Sequence, residues 1–218
     1  MNKTITEIAE SILMRSLKPE DGMFVSAIEE VENRLNVNIP ILLKQFYLSV
    51  GNLEMFMNSF ESFTEPYIVD DKLVFLEENQ GVCFWGIKIS DLNNDNQEVF
   101  MCTDIEQENT EWFSENVLLT EFLKILMYYQ MAQGGYEYGN AIYENSYNSR
   151  NEYLAHIDRI VKNWDKVVEH NGLVIYQQQD KLIWYFTNKK GAIENIIYAS
   201  TLTEQSSNQL AEYGFSEL

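Results

Sequence analysis

The order of the predicted secondary-structure elements places this chain in the α+β class. Helical periodicity fills the region before Gly51, and strand-like periodicity replaces it afterwards. A helix over residues 117–132 then separates these strands from a second group of strands, and a closing helix ends the pattern. Because helices and strands are segregated and do not alternate as βαβ units, a regular parallel α/β sheet is excluded.

Three helices are predicted before Gly51. The first covers residues 4–17 and the second covers residues 24–36, each with apolar residues recurring at three- and four-residue intervals. Pro40 opens the third helix, because the fixed φ and the missing N–H of proline cost little at the first helical position. Gly51 is the expected stop.

Short runs of β-branched and aromatic residues predict four strands of one sheet after Gly51. They cover residues 66–69, 73–77, 82–89 and 97–103. Residues 90–96 are rich in Asn and Asp, whose side chains favour turns. We therefore expect a hairpin loop between the last two strands.

The second half of the chain is predicted to contain a helix, a group of strands and a closing helix, after an interruption at Gly134-Gly135. Gly134-Gly135 ends the helix over 117–132, and residues 133–149 are aromatic and polar without a clear period, so we interpret them as a connection or a loosely packed excursion. Asp180-Lys181 is the expected turn between two later strands. The remaining predictions are a helix over 150–162, strands over 165–168, 173–177, 181–187 and 193–199, and a helix over 203–213.

The charge balance limits the classes of partner. The chain has 218 residues, of which 34 are Asp or Glu and 15 are Lys or Arg, for a formal net charge of -19. Such a surface repels nucleic acid phosphates and anionic lipids. It attracts a basic protein and speeds the encounter with it. Solubility alone is the alternative explanation of the acidity.

The cysteines and the N-terminal residues indicate the compartment. Cys83 and Cys102 lie far apart in sequence within apolar, strand-like stretches, which suits buried reduced thiols better than a disulfide framework. Residues 1–7 contain no basic region followed by an apolar run. We therefore expect a cytoplasmic protein that is neither exported nor inserted into a membrane.

The sequence contains no recognisable catalytic or metal-binding motif. His156 and His170 are the imidazole bases available for nucleophilic catalysis, and the simplest positions for them are a helix surface and a turn. The spacings typical of zinc ligands are missing, and Gly134-Gly135 follows a helix where a phosphate-binding loop would precede one. We expect no metal and no cofactor. A protein that binds another macromolecule is favoured over an enzyme, with a hydrolase using clustered carboxylates as a minor alternative.

Three segments follow one another in an order found in a known family. Residues 28–40 form an acidic helix with a Leu35-to-Pro40 step, and a helix and the Gly51-Asn52 turn come next. Residues 75–87 combine a strand, a Glu78-Asn79-Gln80 loop and a strand that bears Trp85. Residues 96–101 then precede Trp112 and a further helix. Together these segments resemble the SUKH (Smi/Knr-like) superfamily, although Asn96-Gln97 stands where that family commonly has prolines.

The resemblance implies a fold and a role. It implies helices packed on a mostly antiparallel, twisted β-sheet in one domain over residues 1–218. The match is best over 24–130, with 133–149 as a possible insertion and 150–218 as a C-terminal helix–strands–helix part. Members act in bacteria as immunity proteins that neutralise a polymorphic toxin by binding it. A basic, nuclease-type toxin domain is the expected partner, and an acidic regulatory adaptor of the same fold is the alternative.

The candidate binding residues are acids and aromatics near residues 77–85 and 91–111. Carboxylates would complement a basic partner, and an aromatic side chain would supply apolar contact area. The predicted set is Glu77, Glu78, Asn79, Trp85, Asp91, Asp95, Asp104, Glu106, Glu108 and Glu111.

Overall fold

The computed structural model describes residues 4–53, 66–78, 80–105 and 110–218, and it confirms the α+β class. The helices are α1 (Ile5–Leu13), α2 (Val25–Leu35), α3 (Ile41–Val50), α4 (Leu119–Gln130), α5 (Arg150–Val161) and α6 (Glu204–Ala211). The strands are β1 (Tyr67–Val69), β2 (Lys72–Glu77), β3 (Phe84–Lys88), β4 (Glu98–Cys102), β5 (Phe113–Leu118), β6 (Tyr138–Tyr143), β7 (Asp165–His170), β8 (Leu173–Gln178), β9 (Lys181–Phe186), β10 (Ile196–Thr201) and β11 (Ser216–Glu217). A π-helical turn, Met131–Gly135, continues α4.

The strands form two antiparallel sheets. The first has the order β1-β2-β3-β4-β5, and the second has the order β11-β6-β10-β9-β8-β7. The chain divides into two compact units, each of which contains one sheet. Unit 1 comprises Met1–Glu10 and Arg15–Met127, and unit 2 comprises Ser11–Met14 and Tyr128–Leu218.

In unit 1, α3 and α4 pack on one face of the five-stranded sheet. The buried Tyr47 hydroxyl of α3 donates to the Phe75 carbonyl oxygen of β2 at 3.2 Å. The ring of Phe75 also meets the ring of Phe122, on α4, edge to face at 5.8 Å. A smaller cluster, built around Val74, Phe84 and Cys102, covers part of the other face. Strand β2 is therefore buried on both faces, which explains its continuous apolar run.

In unit 2, α5 and α6 cover one face of the six-stranded sheet. Their apolar side chains pack against those of the strands in one buried cluster, which includes Tyr153, Ile157, Ile183, Ile197 and Leu210. Each helix begins at a side-chain cap: the Glu152 amide donates to the Ser149 hydroxyl at 3.2 Å, and the Ser206 amide donates to the Thr203 hydroxyl at 3.3 Å. Such caps satisfy amides that the first helical turn leaves without partners.

Two tight turns order strands β7 to β9. Asn171 and Gly172 join β7 to β8 with φ angles of 45° and 85°, the left-handed pair typical of a two-residue hairpin turn. A Cβ at Gly172 would lie 2.7 Å from the Thr187 carbonyl oxygen, so glycine is required there. Gln179, with a φ of 53°, begins the next turn one residue before the predicted Asp180-Lys181 pair.

Two segments differ from the sequence prediction. The interpretation of 133–149 as a connection or loosely packed excursion is wrong, because this stretch includes β6, which pairs with β10 on one side and β11 on the other. Asn140 is buried in β6, and its amide donates to the Ser207 hydroxyl at 2.9 Å. The second segment is β5, which occupies residues for which no element was predicted together with the first two residues of the helix predicted over 117–132.

Candidate functional site

The antiparallel topology of unit 1 divides the predicted site residues between two ends of the sheet. The β2–β3 and β4–β5 connections lie at one end, and the β3–β4 loop lies at the other. Glu77, Glu78, Asp104 and Glu111 are at the first end. Asp91 and Asp95 are at the second end, one strand length away, which is about 17 Å for five residues. Asn79, Glu106 and Glu108 lie outside the described residues.

Asp91 and Asp95 organise the β3–β4 loop. The backbone amide of Ile41, the first residue of α3, donates to Asp95 Oδ1 at 3.0 Å. Pro40 precedes that amide and has no side-chain oxygen to cap the helix, so Asp95 caps it from a distant loop. Asp91 accepts the Asn94 amide on its carbonyl oxygen at 2.7 Å, which closes the loop. Both carboxylates remain exposed.

At the first end, four apolar side chains form a line across the sheet. The strand register pairs Leu76 with Trp85, Trp85 with Met101, and Met101 with Phe113. Directly paired residues project from the same face, so these four side chains are neighbours, and we call them the cross-strand row. Leu76 is buried, Trp85 and Met101 are half-buried, and Phe113 is 49% exposed. The row thus leads from the core to solvent.

The Trp85 side chain is held in place on two sides. Its ring lies 6.1 Å from the ring of Phe122, measured between centroids. Its Nε1–H donates to Glu115 Oε1 at 2.8 Å. An indole with its apolar body packed and its N–H bonded is a rigid contact surface, so the side chain itself loses little conformational entropy on binding.

Glu115 lies on the same face as Phe113 and Trp85, at the start of a bulge in β5. The register moves from Phe100–Ser114 to Glu98–Leu118, which leaves residues 115–117 without a partner on β4. Asn116 has a φ of 57° inside this bulge, and its amide donates to the Ser114 hydroxyl at 2.8 Å. Glu115 was absent from the predicted set. The signal for it was the Ser114-Glu115-Asn116 sequence, since Asn tolerates the left-handed conformation of a bulge.

Glu78 and Glu115 are both close enough to the thiol of Cys83 for their charges to act on it. Burial, together with these two carboxylates, raises the pKa of Cys83. The Glu78 carboxylate also accepts the Gln80 amide at 2.9 Å, and the Glu78 amide donates to the Cys83 carbonyl oxygen at 2.9 Å. Glu115 therefore contacts Trp85 of the cross-strand row directly, and Glu78 lies near Cys83, two residues before Trp85 in the chain.

The other predicted acids at this end have different surroundings. Glu77 is opposite Phe84 in the register, and its carboxylate accepts the Tyr67 hydroxyl at 3.2 Å. Consecutive strand residues project from opposite faces, so Glu77 and Glu78 do not act as a pair. Asp104 and Glu111 are exposed in the β4–β5 connection. Beside Asp104, burial raises the pKa of the Cys102 thiol to about 11.

His156 lies on a helix as predicted, whereas His170 is the last residue of β7, paired with Leu173 beside the turn in which it was predicted. His156 is on α5, with Nε2 at 2.8 Å from the Tyr213 carbonyl oxygen, and His170 ends β7 at the hairpin turn. Within the described ranges, no group of three or more His, Cys, Asp or Glu side chains is arranged to hold a metal ion. Over those same ranges, no helix is long and apolar enough to cross a membrane.

Comparison of the chain with protein-family models, with curated proteins and with solved structures finds no match.

Proposed function

We propose that this chain is an immunity protein of the SUKH type, which acts in the cytoplasm and neutralises a cognate, basic toxin domain by binding and covering it. The observation that supports the proposal is the cross-strand row with carboxylates at its edge. Trp85 is held by Phe122 and Glu115, Phe113 is 49% exposed, and Glu78 lies near Cys83 at the same end of the sheet. Aromatic anchors next to charges that complement a partner are the features that dominate the affinity of protein interfaces.

The charge of the chain supports the same proposal. A formal net charge of -19 speeds the encounter with a basic domain and disfavours contact with nucleic acid. If the toxin is a nuclease, an acidic surface also competes with the phosphates of its substrate. Inhibition of this kind requires occlusion and no reaction, in keeping with the sequence, which offers no catalytic motif.

The test is a titration of the protein with the toxin domain encoded beside its gene, at low and high salt. Phe113→Ala and Leu118→Ala form a matched pair, because these β5 residues are 49% and 50% exposed at opposite ends of the strand. We expect Phe113→Ala to weaken binding about tenfold or more, as loss of an interface anchor does. Leu118→Ala should leave the affinity nearly unchanged.

Two outcomes contradict the proposal in different ways. Equal effects of the two substitutions would remove the cross-strand row from the interface and leave the immunity role intact. Failure of the unmodified protein to bind its neighbour or any other basic toxin domain would overturn the immunity role. The acidic adaptor would then be favoured, and a pull-down from the native host would identify its partner.

A further inference from the structure

Unit 2 contains a cavity on the face of its sheet that α5 and α6 do not cover. The cavity has a volume of about 1080 Å³ and is lined by β9, β10, residues 132–139 and the β9–β10 connection. Ile183 and Ile197 face the helices, whereas the alternate residues Trp184 and Tyr198 face the cavity. Its volume matches the upper range of small-molecule binding sites, about 300–1000 Å³.

The floor of the cavity is aromatic and held in place. Tyr198 stacks on Trp184 with 4.4 Å between ring centroids, and Phe186 meets Trp184 edge to face at 6.0 Å. The Trp184 Nε1–H donates to the Ser200 hydroxyl at 3.4 Å, and that hydroxyl donates to the Ala132 carbonyl oxygen at 2.7 Å. Trp184 is 7% exposed, whereas Tyr198 and Phe186 are half-buried and present ring surface to the cavity.

The charge of the lining is negative once its internal pairs are counted. Arg150 lines the cavity, but its guanidinium forms an ion pair with Glu144 and also donates to the Ile193 carbonyl oxygen. Glu137 and Glu194 line the exposed rim, and neither forms a salt bridge within the part of the chain that the structure describes. The carboxylates of Glu137 and Glu194 therefore set the charge that a ligand meets. Lys189 and Lys190, in the β9–β10 connection, are outside the lining.

We propose that this cavity is a binding site for an organic cation, a guanidinium or ammonium group carried on an apolar or planar body. Aromatic faces attract such cations through the quadrupole of the ring, and rim carboxylates add a direct charge interaction. Anionic ligands are disfavoured by the same carboxylates. The cavity is larger than a single cationic group, so the body of the ligand also contacts Phe186 and Tyr198.

The probe that tests this proposal is N-acetyl-arginine amide, with N-acetyl-citrulline amide as its neutral counterpart of nearly the same shape. Calorimetric titration of the full chain should show saturable binding of the arginine derivative, and binding of the citrulline derivative about tenfold weaker. The double substitution Glu137→Gln with Glu194→Gln should reduce affinity for the arginine derivative about fivefold or more. The matched control is Glu212→Gln, because Glu212 is exposed and outside the cavity.

Equal binding of the two probes would overturn the proposal and would indicate a neutral ligand, such as a sugar. No saturable binding of the arginine derivative would also overturn it. An unchanged affinity in the double variant would also overturn it. A tripeptide with a central arginine distinguishes the source of the cation. Binding about tenfold tighter than the free amide assigns the site to a side chain of a protein, and equal binding assigns it to a small molecule. The cavity shares no residue with the cross-strand row, so this test does not depend on toxin binding.

Discussion

Two buried tyrosines in unit 2 should respond in opposite ways to loss of the hydroxyl. Tyr153 on α5 is fully buried, and its hydroxyl has no hydrogen-bond partner among the described residues. Tyr136 is 3% exposed, and its hydroxyl donates to the Ile12 carbonyl oxygen at 2.7 Å. Burial raises the pKa of both phenols, so both are neutral at physiological pH. The two substitutions to Phe therefore remove the same oxygen from similar surroundings and differ in the bond.

The expected magnitudes follow from the cost of burying an unbonded polar group. Such a group destabilises the folded state by about 1–3 kcal/mol, part of which returns when it is removed, so Tyr153→Phe should raise the free energy of unfolding by about 1 kcal/mol. Tyr136→Phe removes a bond and leaves the Ile12 carbonyl oxygen, in the last turn of α1, without its partner. It should lower the free energy of unfolding by about 1–2 kcal/mol.

Urea unfolding followed by tryptophan fluorescence is the assay, because Trp164 and Trp184 both lie in unit 2. Tyr143→Phe is the control, since Tyr143 is 38% exposed and the change should be close to zero. The reasoning is refuted if Tyr153→Phe destabilises the protein as much as Tyr136→Phe does, because Tyr153 would then have a hydrogen bond that stabilises the fold.

Three further predictions concern unit 1. The Arg15 guanidinium binds the Asp21 carboxylate and lowers its pKa to about 2. The stability that this ion pair confers is present above about pH 4 and is lost as the pH falls through 2. The unfolding free energies of Asp21→Asn and of the unmodified protein, measured by acid unfolding, should therefore converge in this window. Asp95→Ala should lower the unfolding free energy by about 1 kcal/mol in urea by removing the cap of α3, whereas Asp91→Ala should leave it nearly unchanged. The double substitution Glu78→Gln with Glu115→Gln should lower the raised pKa of Cys83 and speed the reaction of its thiol with a disulfide reagent. The control Glu30→Gln, on α2, should leave that reaction rate unchanged. Equal reaction rates in the double variant and the control would contradict the placement of Glu78 and Glu115 near the thiol.

The sequence predicted the elements whose signals are local. Helices α2, α3 and α5 and strands β8 and β9 carry their period, their ends or their turn residues within a few positions. Strands β5 and β6 do not. The middle of β5 is polar, and the second and third residues of β6 are a glycine and a buried asparagine, so pairing with β4, β10 and β11 decides their structure. That pairing is a property of the folded chain.

The candidate site shows the same division. An aromatic residue at position 85 beside acids was predicted, because composition and order are visible in the sequence. The approach of Glu115 to Trp85 was not predicted, because the pairing of β5 with β4 and of β4 with β3 determines it. The separation of Asp91 and Asp95 from the other acids was not predicted either, since it follows from alternating hairpin connections once the strand order is known. Which charged residues lie close together could be predicted only with knowledge of how the strands pair.

Under the proposed function, the separation of the acids implies different roles for the net charge and for the cross-strand row. Carboxylates at both ends of the five-stranded sheet contribute to the field of a chain with a net charge of -19, and that field acts on a basic partner before contact. At physiological salt, screening limits the direct effect of a single exposed carboxylate to about 8 Å. In the proposed complex, Asp91 would therefore affect the encounter rate without contributing to a contact at Trp85 and Phe113. The lifetime of a complex formed at the cross-strand row depends instead on the aromatic side chains and on Glu78 and Glu115, which a partner would desolvate.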